Sequence, residues 1–193
     1  MTGRTFAEVL QFWFGWPDAP DYGQYRKPWF VKDASFDALI RERFLATWES
    51  AASGQLDAWV AVPRSALALV VVLDQFPRNL FRGEARAFST DASALKVVQA
   101  IVDAGQDRAF LPVERGFVYL PFEHAEDLAM QQRSLQLFAG LAHEPAGRDM
   151  ADYARRHHDV IARFGRFPHR NAMLGRPSTA DELAYLAEPG SGF

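Results

Sequence analysis

The stretch SALALVVVLDQFPRNLFRG, Ser65 to Gly83, constrains the fold more than any other part of the chain. Ala66 to Leu73 are eight apolar residues in a row, far short of the ~20 needed to cross a bilayer. A proline at 63 can open a helix without losing a hydrogen bond. A helix apolar on every side needs neighbours on every side, so this one is expected at the centre of the molecule. The run then meets an acid, Asp74, followed by Gln75, Phe76 and Pro77. Proline disfavours helical geometry in the residue before it, so a bend is expected near Phe76.

The surrounding segments share the helical period. Phe6, Val9, Leu10, Trp13 and Phe14 follow the i, i+3, i+4, i+7 spacing and predict a helix over Thr5–Phe14. Two Gly and three Pro predict a loop over Gly15–Trp29. Phe36, Leu39, Ile40, Phe44 and Trp48 mark the inner stripe of a helix over Asp33–Ser53, with Gly54 as its stop. A fourth helix is expected from Thr90 or Asp91, either of which can cap it, to about Gly105. A fifth starts at Pro112 and is expected to kink or split at Pro121. Helices over Asp149–Phe164 and from Thr179 follow, the last through the capping-box spacing of Thr179 and Glu182. No alternating strand pattern or Asn-Gly hairpin competes. The expected fold class is all-α, and 193 residues without a linker predict one helical domain over 1–193.

Composition excludes several kinds of chemistry. The chain has no cysteine, which removes disulfides, thiolate metal sites and cysteine nucleophiles. A net charge of −3 and the lack of a basic stripe argue against nucleic acid. The N-terminal MTGRTFAEVLQFWFGW lacks the apolar core of a signal peptide. A soluble, cytoplasmic protein with no membrane partner is therefore expected. GxGxxG, Walker and GxSxG motifs are absent, so dinucleotide, nucleoside-triphosphate and α/β-hydrolase functions have no support. Nothing in the sequence assigns a cofactor.

Three polar clusters can carry chemistry. In the first, Asp74 and Arg78 share a helix face where the apolar run ends, with Asn79 and Arg82 beyond. The second is YLPFEHAED, where Glu123, His124 and Asp127 crowd one turn and offer an acid or base. Its spacing matches no standard metal signature, and no metal ligands are assigned. The third is RRHHDVIARFGRFPHRN, with His157, His158 and Asp159 on a helix and His169, Arg170 and Asn171 after a bend. Phe-Pro, Arg-Asn, Gly and Ser-Thr recur in both LFRG- and LGR-containing blocks, about ninety residues apart. Each cluster also has a plain reading as ion-paired or helix-terminal polar surface.

Read together, VLQFWFGW, LDQFPRNLFRGEARAF, YLPFEHAEDLAMQQRS and RFGRFPHRNAMLGRPST resemble a bacterial family described only as domain of unknown function 924. The resemblance spans nearly the whole chain. It implies a tetratricopeptide-like fold, with antiparallel helix pairs stacked as a right-handed superhelix, and it brings no activity or substrate.

Two functions follow. In the first, Asp74, Arg78, Asn79, Arg82, His169, Arg170 and Asn171 bind an anionic small molecule. Glu123, His124, Asp127 and His158 then supply acid–base groups, and the chain is an enzyme or a binding protein. In the second, stacked helices present a groove to a peptide or protein partner, and the polar clusters are scaffolding. The first gains if the two Phe-Pro blocks and the Glu123–Asp127 turn surround one cleft lined by unpaired polar groups, with Arg78-Asn79 and Arg170-Asn171 facing one space. It fails if Asp74, Glu123 and the arginines are mutually salt-bridged with no cavity beside them.

Overall fold

A computed structural model describes residues 3–192 of the chain; Met1, Thr2 and Phe193 of the expected domain lie outside them. The described residues are helical with no strand. The helices are α1 (Phe6–Phe14), α2 (Ala34–Ala52), α3 (Pro63–Val70), α4 (Phe76–Leu80), α5 (Asp91–Asp103), α6 (Pro112–Glu123), α7 (Leu128–Ala139), α8 (Pro145–Phe164) and α9 (Ala180–Leu186). Among the described residues, no helix is long and apolar enough to cross a membrane.

Local signals account for most boundaries. Thr5 and Glu8 form a capping box at α1, and Thr179 and Glu182 form one at α9. Asp33 caps α2 by accepting from the N–H groups of Ser35 and Phe36. The fifth expected helix splits two residues after Pro121, where α6 ends at Glu123, and Asp127 then caps α7 through the Met130 N–H. One boundary moves: α8 begins at Pro145 rather than Asp149.

α3 is the axis of the core. Every residue from Ser65 to Pro77 is buried, and α1, α5 and α6 pack around α3 while α2 packs on α4. Trp13, Phe44, Phe76 and Phe117 surround this axis with edge-on and tilted ring contacts of 4.9–5.7 Å. Further along the chain, α6 packs on α7 and α8, and α7 on α8. A small second cluster of Val160, Ile161 and Phe167, with Phe164 and Tyr185, seats the C-terminal part.

The bend expected at Phe76 does not form. Phe76 is helical, with φ −57° and ψ −41°, and α3 runs into α4 through a π-type turn, Val71–Gln75. The reason lies in Pro77, which has no N–H for the Leu73 carbonyl and whose ring would press on it. Widening the helix by one residue relieves that contact: the Phe76 N–H reaches back five residues to the Val71 carbonyl. The freed Leu73 carbonyl accepts from Thr90 Oγ at 2.5 Å. Thr90 thus spends its hydroxyl on α3 and makes no side-chain cap for α5. Thr90→Val keeps the shape and removes the donor. It is expected to lower unfolding free energy by about 1–3 kcal/mol in urea titration, the penalty for stranding a buried carbonyl.

Candidate functional site

The π-type turn aims Asp74 into the space between α4, α5 and the C-terminal end of α6. Asp74 is fully buried and accepts from Gln75 Nε2 at 2.6 Å and from His124 Nδ1 at 2.8 Å. Arg78 Nη1 donates to the Asp74 carbonyl and stands 3.5 Å from its Oδ1. Burial opposes the charge on Asp74, but Arg78 and His124 outweigh it and hold the carboxyl at about 2. An ionised Asp74 accepts the Nδ1 proton of His124, which leaves a lone pair on Nε2. Burial and the Arg78 charge push His124 below the ordinary histidine range, so the ring is neutral at pH 7.

Both Phe-Pro blocks reach this space, through their arginines. Arg78 pairs with Asp91 by two bonds of 3.0 and 3.2 Å, and Arg170 Nη1 donates to the same carboxylate at 3.2 Å. Arg170 packs on two rings, with Cζ 4.6 Å from the Phe88 centroid and 4.5 Å from that of Phe167. Burial and the charge of Arg78 lower Arg170 to about 10. Glu123 joins from the end of α6, its Oε1 lying 3.0 Å from His157 Nδ1, which also meets the Tyr153 carbonyl at 2.9 Å. The His124 and His157 rings are 6.3 Å apart. His169 lies beside Phe167 and is pushed down to about 4 by burial, then by Arg170 and His157.

The two asparagines do not follow the arginines. Asn79 Nδ2 donates to Asp37 of α2 at 2.7 Å, and Arg82 grips the same carboxylate by two bonds of 2.8 Å. They line a separate depression of about 320 Å³ with Ala34, Ala38 and Arg41. Asn171 turns to Ser178, Glu182 and Arg176. Asp127 is committed to the α7 cap, and His158 pairs with Asp159, whose side chain is mostly exposed. The cluster therefore unites Asp74, Arg78, Glu123, His124 and Arg170, with His169 at its edge, and leaves Asn79, Arg82, Asp127, His158 and Asn171 in other roles. Among the described residues, no group of three or more His, Asp or Glu is arranged to hold a metal ion.

Sequence reasoning missed Asp91, Phe88 and Glu126. Asp91 was legible only as a helix start, although it follows three residues after Phe88, which ends the same conspicuous block as Arg78. Glu126 clasps Arg176 by bonds of 2.6 and 2.8 Å and accepts the Phe167 N–H at 2.7 Å, which fixes the second Phe-Pro turn. Glu182 holds Arg166 through two more bonds, and these, with the Thr179 N–H, bring its carboxyl to about 2.

This is an all-helical protein with a buried acid–imidazole–guanidinium cluster where two Phe-Pro turns meet. The chain belongs to the bacterial family of unknown function DUF924, whose model matches residues 9–190. It is similar to a solved structure of a protein of unknown function, ATU0120, from Agrobacterium tumefaciens. That likeness has 40% identity and a TM-score of 0.82, covering 94% of this chain and 96% of that one. No curated protein matches.

The depressed histidines give a pH prediction. His169 is neutral in the fold down to about pH 4 but takes up a proton near 6.5 when unfolded, and His124 shifts in the same direction. Their contribution is complete above about pH 6.5 and is lost as pH falls towards 4, by at most about 3 kcal/mol for His169. Unfolding titrations between pH 4 and 7.5 are expected to show stability rising with pH, and His169→Asn to flatten that slope.

Proposed function

We propose that this cluster is the small-molecule site of a cytoplasmic one-domain protein, with His124 as its acid–base group. The supporting observation is the Asp74–His124 bond of 2.8 Å. A buried carboxylate fixes the ring and its tautomer, while Nε2 has no hydrogen-bond partner among the described residues and the side chain keeps 13% of its surface open. That is the arrangement of a general base, neutral at pH 7 and oriented by a second group. Arg78 and Asp91, paired in the same cluster, are 21% and 18% exposed. The stacked, tetratricopeptide-like arrangement implied by the family is part of this reading. It draws support from α5 to α8, each of which packs on the next.

Peptide binding is the second reading, favoured by Trp16, Tyr25, Phe30 and Val31, which are 46–60% exposed on the loop after α1. The two are separated by a thermal-shift screen of small carboxylates, phosphate esters and polyols on the wild type and His124→Ala. At least one class is expected to raise the wild-type midpoint and to lose that effect in the variant. A screen with no wild-type shift overturns the small-molecule reading, and a stoichiometric peptide partner captured through Trp16 and Phe30 would replace it.

A further inference from the structure

The least explained group in the cluster is Arg170. Its side chain is more than nine-tenths buried, which is costly for a cation unless its donors are satisfied. Guanidinium N–H bonds lie in the plane of the group and are used as forks. One end of the plane is engaged, with Nη1 on Asp91. Nε is buried and has no partner, and among the described residues no acceptor meets Nη2 beside it. Phe88 and Phe167 pack on the group. They hold the plane in one orientation, so the Nε–Nη2 edge is fixed in direction as well as uncommitted. An unsatisfied buried donor is destabilising, and a surface chain would normally rotate to avoid it. Here the rings and Asp91 prevent that.

We infer that the Nε–Nη2 edge of Arg170 is the ligand fork of the site and that it takes the carboxylate of a small monoanion. The inference rests on the reading of the cluster as a small-molecule site and names the class of its ligand. A carboxylate matches a side-on guanidinium edge with two parallel bonds. The surroundings favour one negative charge over two, because the Asp91 carboxylate stands 3.2 Å from Nη1 of the same guanidinium and would repel a phosphate dianion. Arg78 already gives both Nη1 and Nη2 to Asp74 and Asp91, whereas Arg170 commits Nη1 alone. With its carboxylate on Arg170, the ligand would extend its other end towards the partly exposed side chains of Arg78 and His124.

The test follows two reporters in nitrogen–proton spectra of the full chain while acetate, and separately inorganic phosphate, is titrated. The reporters are the Arg170 Nε–H, assigned by its loss in Arg170→Lys, and the His124 ring nitrogens. Acetate is expected to shift the Arg170 signal saturably, with phosphate at least tenfold weaker. In Arg170→Lys, which keeps the charge but loses the fork, the His124 response to acetate is expected to vanish. If that variant does not fold, Phe88→Leu keeps the guanidinium, loosens its seat and is expected to weaken acetate at least threefold. A probe that moves His124 but leaves Arg170 still overturns the fork and spares the small-molecule site. Phosphate binding as tightly as acetate overturns the carboxylate assignment. Silence at both residues overturns the inference, and the ligand screen then decides the site separately.

Discussion

A proline in a helix that has nowhere to leave is the constraint on which this molecule turns. Pro77 closes a stretch of thirteen residues, Ser65–Pro77, that are buried without interruption. At a surface the chain would bend away at Phe76; inside a core, bending would expose Phe76 and Leu80, each worth about 1.5–3 kcal/mol of burial. The helix widens instead. The widening frees the Leu73 carbonyl, Thr90 answers it, and Thr90 anchors the first turn of α5 with Asp91 at its start. Asp91 then gathers Arg78 and Arg170. One missing N–H thus organises the contact between two segments far apart in sequence. The π-type turn also rotates Asp74 to a direction that a regular helix would not give it, and such turns recur at functional sites.

The electrostatics of the cluster are nearly closed on themselves. Asp74 and Asp91 stand against Arg78 and Arg170, so the imidazoles of His124 and His169 are not required as cations and burial keeps them neutral. Buried ion pairs of this kind add little net stability over apolar packing, whereas removal of one member leaves an exposed cost of about 3–5 kcal/mol. Their effect is therefore to specify one arrangement. Among the described residues, what is left over is local: His124 Nε2, the Nε–Nη2 edge of Arg170 and the buried Glu123 Oε2 lack hydrogen-bond partners.

How much of this was legible in the sequence follows from the range of each interaction. The capping box at Thr179 lies within three residues and was legible as such, while the caps at Thr5 and Asp33, equally local, stand at helix starts that the apolar period marked. The central position of α3 was legible because eight apolar residues leave no polar face. The choice of partner by each polar side chain was not. Asn79 and Arg82 join Asp37 across more than forty residues, and Arg170 joins Asp91 across seventy-nine. Neighbours in sequence separate for a simpler reason. His157 and His158 are about 100° apart around α8, so one turns to Glu123 while the next turns to Asp159. Asp127 looked like a member of the His124 turn, but a helix begins there and needs its N-cap.

The echo between the two Phe-Pro blocks has a physical meaning once the partners are known. In each, an aromatic-proline step opens a short helical turn that delivers an arginine to Asp91, while the next residue, asparagine, is drawn to whatever structure holds its own block in place. For Asn79 that is α2; for Asn171 it is the strap formed with Ser178, Glu182 and Arg176. The arginines therefore share one role and the asparagines share only a letter. It also follows that Arg170 is positioned from outside the cluster. The Glu126–Arg176 and Arg166–Glu182 pairs fix the turn that carries it, so damage to this strap would reach the site through the placement of a single guanidinium.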